Sequence, residues 1–210
     1  MAEAGSIVID RNGYLGVRSR SVATFDLDAR FPDQVFRERA GGSLFCEFDV
    51  VLAPEIWPVL CMMARWHGDE HIELLVLEPD CDGFYVPEGL GYPAVSLSVE
   101  AGEDDYWAAI GFEPDGDALG SIGISANVVA VTGVSAKWGC WGERGPEVAV
   151  FQGFPDEAAR SEWCVRFGPF LGVPGALESY VPIAFGGRPV PDTYAVALTA
   201  NYGSPSGRRP

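Results

Sequence analysis

The chain's two histidines, His67 and His71, stand four residues apart in the run HGDEH. On an unbroken helix, the order H-x-x-E-H aims both imidazoles at one zinc ion and sets the glutamate beside its water. Here Gly68 and Asp69 intervene, and that pair ends a helix rather than continuing it. No third ligand follows at a clear spacing, so the pair is not expected to bind metal. Nucleophile chemistry lacks its parts. There is no G-x-S-x-G run, and none of Cys46, Cys61, Cys81, Cys140 and Cys164 has a base beside it in sequence. Acid–base work would therefore fall to paired carboxylates, Asp104 with Asp105 or Glu113, Asp115 and Asp117, as in a small hydrolase. These acids lie in turn sequences, where carboxylates are ordinarily solvated. No catalytic residue and no cofactor is assigned.

Charge is more informative. Acids outnumber bases 30 to 14 over 210 residues, a net charge of −16. Between Glu47 and Asp117 there are 17 acids and one base, Arg65, whereas the rest of the chain carries 13 of each sign. Such a chain is not expected to bind a phosphate backbone directly. The acids punctuate predicted turns: Glu70 and Glu73; Glu78, Asp80 and Asp82; Glu103, Asp104 and Asp105; Asp115 and Asp117. Aromatic residues lie among them, notably Tyr85, Tyr92, Tyr106 and Trp107. Turns of alternate strands gather at one end of a sheet. The expectation is one acidic, aromatic surface suited to a basic protein partner, where long-range attraction speeds encounter and aromatic anchors hold the complex. The plainer alternative is that the acidity serves solubility.

The elements that position these residues are legible in part. Alternation predicts strands over 21–27, 43–52, 72–77, 94–99, 106–112 and 193–201, and a three-stranded meander over 122–132, 136–142 and 147–152. Helices are predicted after Pro58 to Trp66, from Pro155-Asp156 to about Val165, and over 174–180. Within AKWGCWGERGPEVAVFQGF, a helix would hold Gly139, Gly142 and Gly145 at about 1 kcal/mol each. As a strand, Trp138 and Cys140 share one face, and Lys137, Gly139 and Trp141 the other. Val148 and Val150 then oppose Ala149 and Phe151 on the next strand. Both faces are apolar, so this hairpin is central and covered on both sides. Trp138, Trp141 and Cys140 are therefore read as structural. The glycines are not a phosphate loop, because no helix follows them.

This pattern predicts an α+β fold, a mostly antiparallel sheet with a few short helices packed on it. A single domain over 1–202 is expected, with a division into two packed subdomains near 113–121 left open, and a disordered tail over 203–210 (GSPSGRRP). The start MAEAGSIVID has no basic or long apolar run of a targeting segment, and no stretch reaches a membrane span. Five widely spaced cysteines without C-x-x-C fit reduced thiols and a cytoplasmic location.

The stretch VTGVSAKWGCWGERGPEVAV (Val131 to Val150), a strand, a W-G-x-W-G-E-R turn and an apolar strand, resembles segments of actinobacterial proteins. Some of those resemble immunity proteins of bacterial polymorphic toxin systems. That family is small, acidic, cytosolic and catalytically inert, and plugs a toxin's active site. The resemblance covers about twenty residues and implies a structural hairpin, with no catalytic residues to carry over. With the charge pattern, it leads to the expectation of an acidic, non-enzymatic binding protein, an immunity protein or antitoxin neutralising a basic toxin such as a nuclease. A small carboxylate-dependent hydrolase and a nucleic-acid-mimicking inhibitor are the alternatives.

Overall fold

Six strands, β1 (Leu44–Glu47), β2 (His71–Glu78), β3 (Ala94–Ser98), β4 (Val128–Gly133), β5 (Gly139–Glu143) and β6 (Val148–Gln152), build one antiparallel sheet. Their order is β1-β6-β5-β4-β2-β3. The structure, a computed structural model, describes residues 10–38 and 42–203, so the tail predicted from 203 lies outside the described residues after Gly203. The helices are α1 (Arg11–Thr24), α2 (Phe48–Val51), α3 (Trp57–His67), α4 (Glu103–Ile110), α5 (Ile122–Ser125), α6 (Glu157–Phe167), α7 (Val173–Ser179), α8 (Val181–Ala184) and α9 (Asp192–Tyr202). The architecture is the expected α+β, an antiparallel sheet with helices packed on it; among the described residues helix exceeds strand, 46% to 19%. Residues 113–121, which carry two short turns of 3-10 helix, connect elements of one sheet, because β4 after them pairs with β2 before them.

The sheet separates two apolar layers. One face packs under α3, α4 and α6 and holds Leu74, Trp138, Cys140, Ala149 and Phe151. The other packs under α1, α7 and α9 and holds Leu75, Trp141, Val148 and Val150. This is the alternation the hairpin sequence predicts, in the register Cys140↔Phe151 and Trp141↔Val150. Glycine lets a ring approach each face. A Cβ on Gly139 would fall 2.4 Å from Phe25, and one on Gly142 would fall 3.0 Å from Phe48.

Three predicted strands are helical, for local reasons. Residues 21–24 are the last turn of α1, whose buried stripe Tyr14, Val17, Ser21 and Thr24 has helical spacing. Its cap is Asp10, which accepts from the Gly13 N–H at 2.8 Å. Residues 106–110 belong to α4. Glu103, Asp104 and Asp105 fill its first turn, where the helix dipole favours acids, and Asp105 Oδ2 accepts from the Gly102 N–H at 2.8 Å. Tyr106, Ala109 and Ile110 then share the buried face. Residues 193–201 form α9, anchored by Leu198 and Tyr202 four apart. Two other predicted strands are shorter than expected: β1 gives way to α2 at Phe48, and α5 precedes β4. Gly68 ends α3 in the left-handed conformation, φ 73°.

Candidate functional site

Of the seventeen acids between Glu47 and Asp117, fifteen are exposed and two, Asp69 and Glu73, are buried. They do not gather at one end of the sheet. Val99 N–H donates to Glu70 C=O at 2.9 Å, which sets Glu70 beside the end of β3. The next turn leads to Glu103, Asp104 and Asp105 at the start of α4. Glu78, Asp80 and Asp82 lie at the opposite end of β2, and Asp115 joins the start of β3 in lining a cavity. Asp117 follows, its Oδ1 accepting from the Leu119 N–H at 2.9 Å. The eight residues of β2 hold the two groups roughly 23 Å apart, more than two Debye lengths at physiological salt. The exposed acids predicted to meet a partner thus form two patches at the two ends of the β2–β3 hairpin.

These charges are largely uncompensated. Glu78 has Arg30 at 3.9 Å, but Glu70, Asp80, Asp82, Glu103, Asp104, Asp105, Asp115 and Asp117 form no ion pair among the described residues. Asp80 also closes its own turn, accepting from the Gly83 N–H at 2.6 Å.

Three residues predicted at the surface belong to the interior. Glu73 is 2% exposed and accepts a fork from Arg20, with Nε at 2.9 Å from Oε1 and 2.7 Å from Oε2. Its alternation places it on the face that α1 covers, so it ties helix to sheet. Tyr85 is buried with its hydroxyl 2.6 Å from Ser125 Oγ. Tyr106 is buried, stacks on Trp57 at 5.2 Å and donates to Val51 C=O at 2.6 Å. Burial pushes both phenols above their ordinary pKa. A helix rather than a strand at 103–110 turns Tyr106 inward and leaves Trp107 outward, 54% exposed. Tyr92 is half-buried, 5.6 Å from Tyr14.

Both hairpin tryptophans serve buried carboxylates, which the sequence reading missed. Trp138 Nε1 donates to Asp69 Oδ2 at 2.8 Å, and the same carboxylate accepts from the Ser135 N–H and hydroxyl at 2.6 and 2.8 Å. Trp141 Nε1 donates to Glu143 Oε1 at 2.9 Å, which also accepts from the Phe31 N–H at 2.8 Å. The signal for the second pair was present, since residues two apart in a strand share a face. Burial raises the Glu143 pKa, and the two hydrogen bonds and Arg30 only partly oppose it.

Two cavities stand out among the described residues. One, of about 270 Å³, is mainly apolar and runs between the start of β3 and the residues before it (Tyr92, Ala94, Val95) and the end of α4 and the residues after it (Ala109, Phe112); Asp115 is the single acid among its lining residues. The other, of about 450 Å³, is polar, with Lys137 on its wall and Gln152, whose buried Oε1 lacks a partner among the described residues. Neither cavity brings two carboxylates together. His67 Nε2 donates to Gly153 C=O at 2.7 Å, whereas His71 is exposed past the helix break. Among the described residues, no group of three or more His, Cys, Asp or Glu side chains is placed to hold a metal ion. All five cysteines are free thiols, and burial pushes Cys61 up to about 11. No helix among the described residues is long and apolar enough to cross a membrane. Comparison with protein-family models, with curated proteins and with solved structures finds no match to this chain.

Proposed function

We propose that this chain is an acidic, cytoplasmic, non-enzymatic binding protein that captures a basic protein, acting as an immunity protein or antitoxin toward a toxin such as a nuclease. One observation carries the reading: fifteen of seventeen clustered acids are exposed, and eight of those predicted to meet a partner have no cation of their own among the described residues. Acids held apart from cations concentrate a negative potential that a basic surface can neutralise. Trp107 supplies an exposed aromatic anchor on the helix that carries Glu103 and Asp104. The carboxylate-hydrolase alternative is less well supported, because Asp115 faces its cavity without a second acid. A nucleic-acid mimic needs acids at phosphate-like spacing, and these are split by the length of β2.

The test is capture from an extract of the native organism at low salt with the full chain as bait, followed by purification of what binds. A basic protein whose activity the chain suppresses at equimolar ratio is the expected result. Recovery of only acidic or neutral proteins would overturn the proposal.

A further inference from the structure

The sheet has two edges, and they are treated differently. β1 is closed by residue 171: Phe45 N–H donates to Leu171 C=O at 2.7 Å, and Leu171 N–H returns to Phe45 C=O at 2.9 Å. β3 is the other edge. Val76 N–H donates to Pro93 C=O at 3.0 Å and Val99 N–H to Glu70 C=O at 2.9 Å, so the ladder to β2 uses the odd-numbered residues of this strand. The even-numbered residues turn their main chain outward. Ala94 N–H and Ser98 C=O are satisfied locally, by Tyr92 C=O and Ala101 N–H. Ala94 C=O, both main-chain groups of Ser96, and Ser98 N–H have no partner among the described residues. Natural edges are commonly blunted with a charge or an internal proline. β3 reads AVSLS and carries neither, and Ser96 and Ser98 are half-exposed.

What surrounds this edge says what it takes. The apolar cavity of about 270 Å³ opens at the start of the strand, with Asp115 on its wall. The uncompensated acids Glu70, Glu103 and Asp104 stand at its other end. Resting on the reading of this chain as a binder of basic proteins, we infer that the partner contributes an extended segment that adds to β3 as a seventh, antiparallel strand. That strand exchanges two hydrogen bonds with Ser96 and makes one each with Ala94 C=O and Ser98 N–H. An apolar side chain of the segment enters the cavity, and lysine or arginine residues flanking it meet the acids at both ends. Main-chain pairing supplies affinity, and the cavity and acids select the sequence.

The probe is a blocked basic peptide, acetyl-RKVTLTVKR-amide, titrated into the isotopically labelled full chain at low salt and followed by amide NMR and hydrogen exchange. Binding that shifts and protects the Ser96 and Ser98 amides is expected. N-methylating the five central peptide residues should weaken it by about tenfold or more, since the two hydrogen bonds the segment donates, to Ala94 C=O and Ser96 C=O, are lost without a change of charge. Ser96→Pro should weaken it similarly. Because the Ser96 N–H lies outside the ladder, the Tm of this variant should stay near that of the parent. If no basic peptide binds, or the N-methylated peptide binds as tightly as its parent, or the shifts avoid Ser96 and Ser98, strand addition is overturned while the acidic-surface reading stands on its own capture test. If the acidic peptide acetyl-EDVTLTVDE-amide binds at Ser96 as well as the basic one, strand addition survives and the preference for a basic partner falls.

Discussion

At the scale of residues, two indoles anchor two buried acids, and this decides what substitutions do. Trp138→Ala removes a side chain that is 1% exposed and takes from Asp69 one of its three donors. A loss of about 3–5 kcal/mol is expected from the cavity alone. Denaturant melts giving less than about 1 kcal/mol would contradict the packing described for this face. Glu143 makes the opposite kind of prediction. Its pKa is raised in the fold, mainly by burial, so the folded state holds the proton more tightly than the unfolded chain does. The stability it contributes is complete below the ordinary glutamate range and declines as pH rises through the raised value. Glu143→Gln keeps an Oε1 to accept from Trp141 and Phe31 but cannot ionise. The Tm of the variant relative to the parent should therefore rise from pH 4 to pH 8. A difference that is flat or falls over that range would show that the carboxylate is not burdened by burial. The Trp141–Glu143 pairing was missed because the predicted strand stops at residue 142, whereas β5 runs on through Glu143 and puts the two on one face. The Trp138–Asp69 bond was not legible, because it joins the end of α3 to the turn before β5 across 69 positions of sequence.

At the scale of elements, sequence pattern located what repeats strictly and failed where short runs fit two periods. The β5–β6 hairpin was readable because apolar residues alternate without a break on both faces. The stop at Gly68 and the cap at Asp156 were readable because each is a single residue with a specific backbone role. In α1, α4 and α9, a few apolar residues fit a strand as well as a helix, and caps and tertiary contacts decided between them. The error at α4 misplaced Tyr106, and the hidden Arg20–Glu73 fork misplaced Glu73. That fork fixes α1 to β2. Arg20→Ala should cost about 2–3 kcal/mol, less than for a fully enclosed pair because the guanidinium is 43% exposed. Double substitution to Arg20→Ala/Glu73→Leu should recover part of that loss. Chemical denaturation of both variants checks this, and an unaffected Arg20→Ala protein would remove the fork from the account.

At the scale of the molecule, the sequence from Glu47 to Asp117 carries the net charge, and its predicted partner-facing acids are divided into two patches by the length of β2. The charge was visible in composition. Its division was not, because it depends on the antiparallel return of β3 and on the turn into α4. The central claim is that these exposed acids steer a basic partner onto this surface, and steering acts on the association rate. Glu70, Glu103 and Asp104 are the charges to reverse, because Asp105 also caps α4 through the Gly102 N–H. The decisive measurement is the association rate of the captured basic partner with the parent and with the Glu70→Lys/Glu103→Lys/Asp104→Lys variant, at about 10 mM and about 150 mM salt. The parent should associate on the order of 10-fold faster or more at the lower salt, and the variant should be slower and nearly insensitive to salt. Equal rates for the two proteins at low salt, with the fold of the variant intact, would contradict the claim and leave these acids without a role in binding.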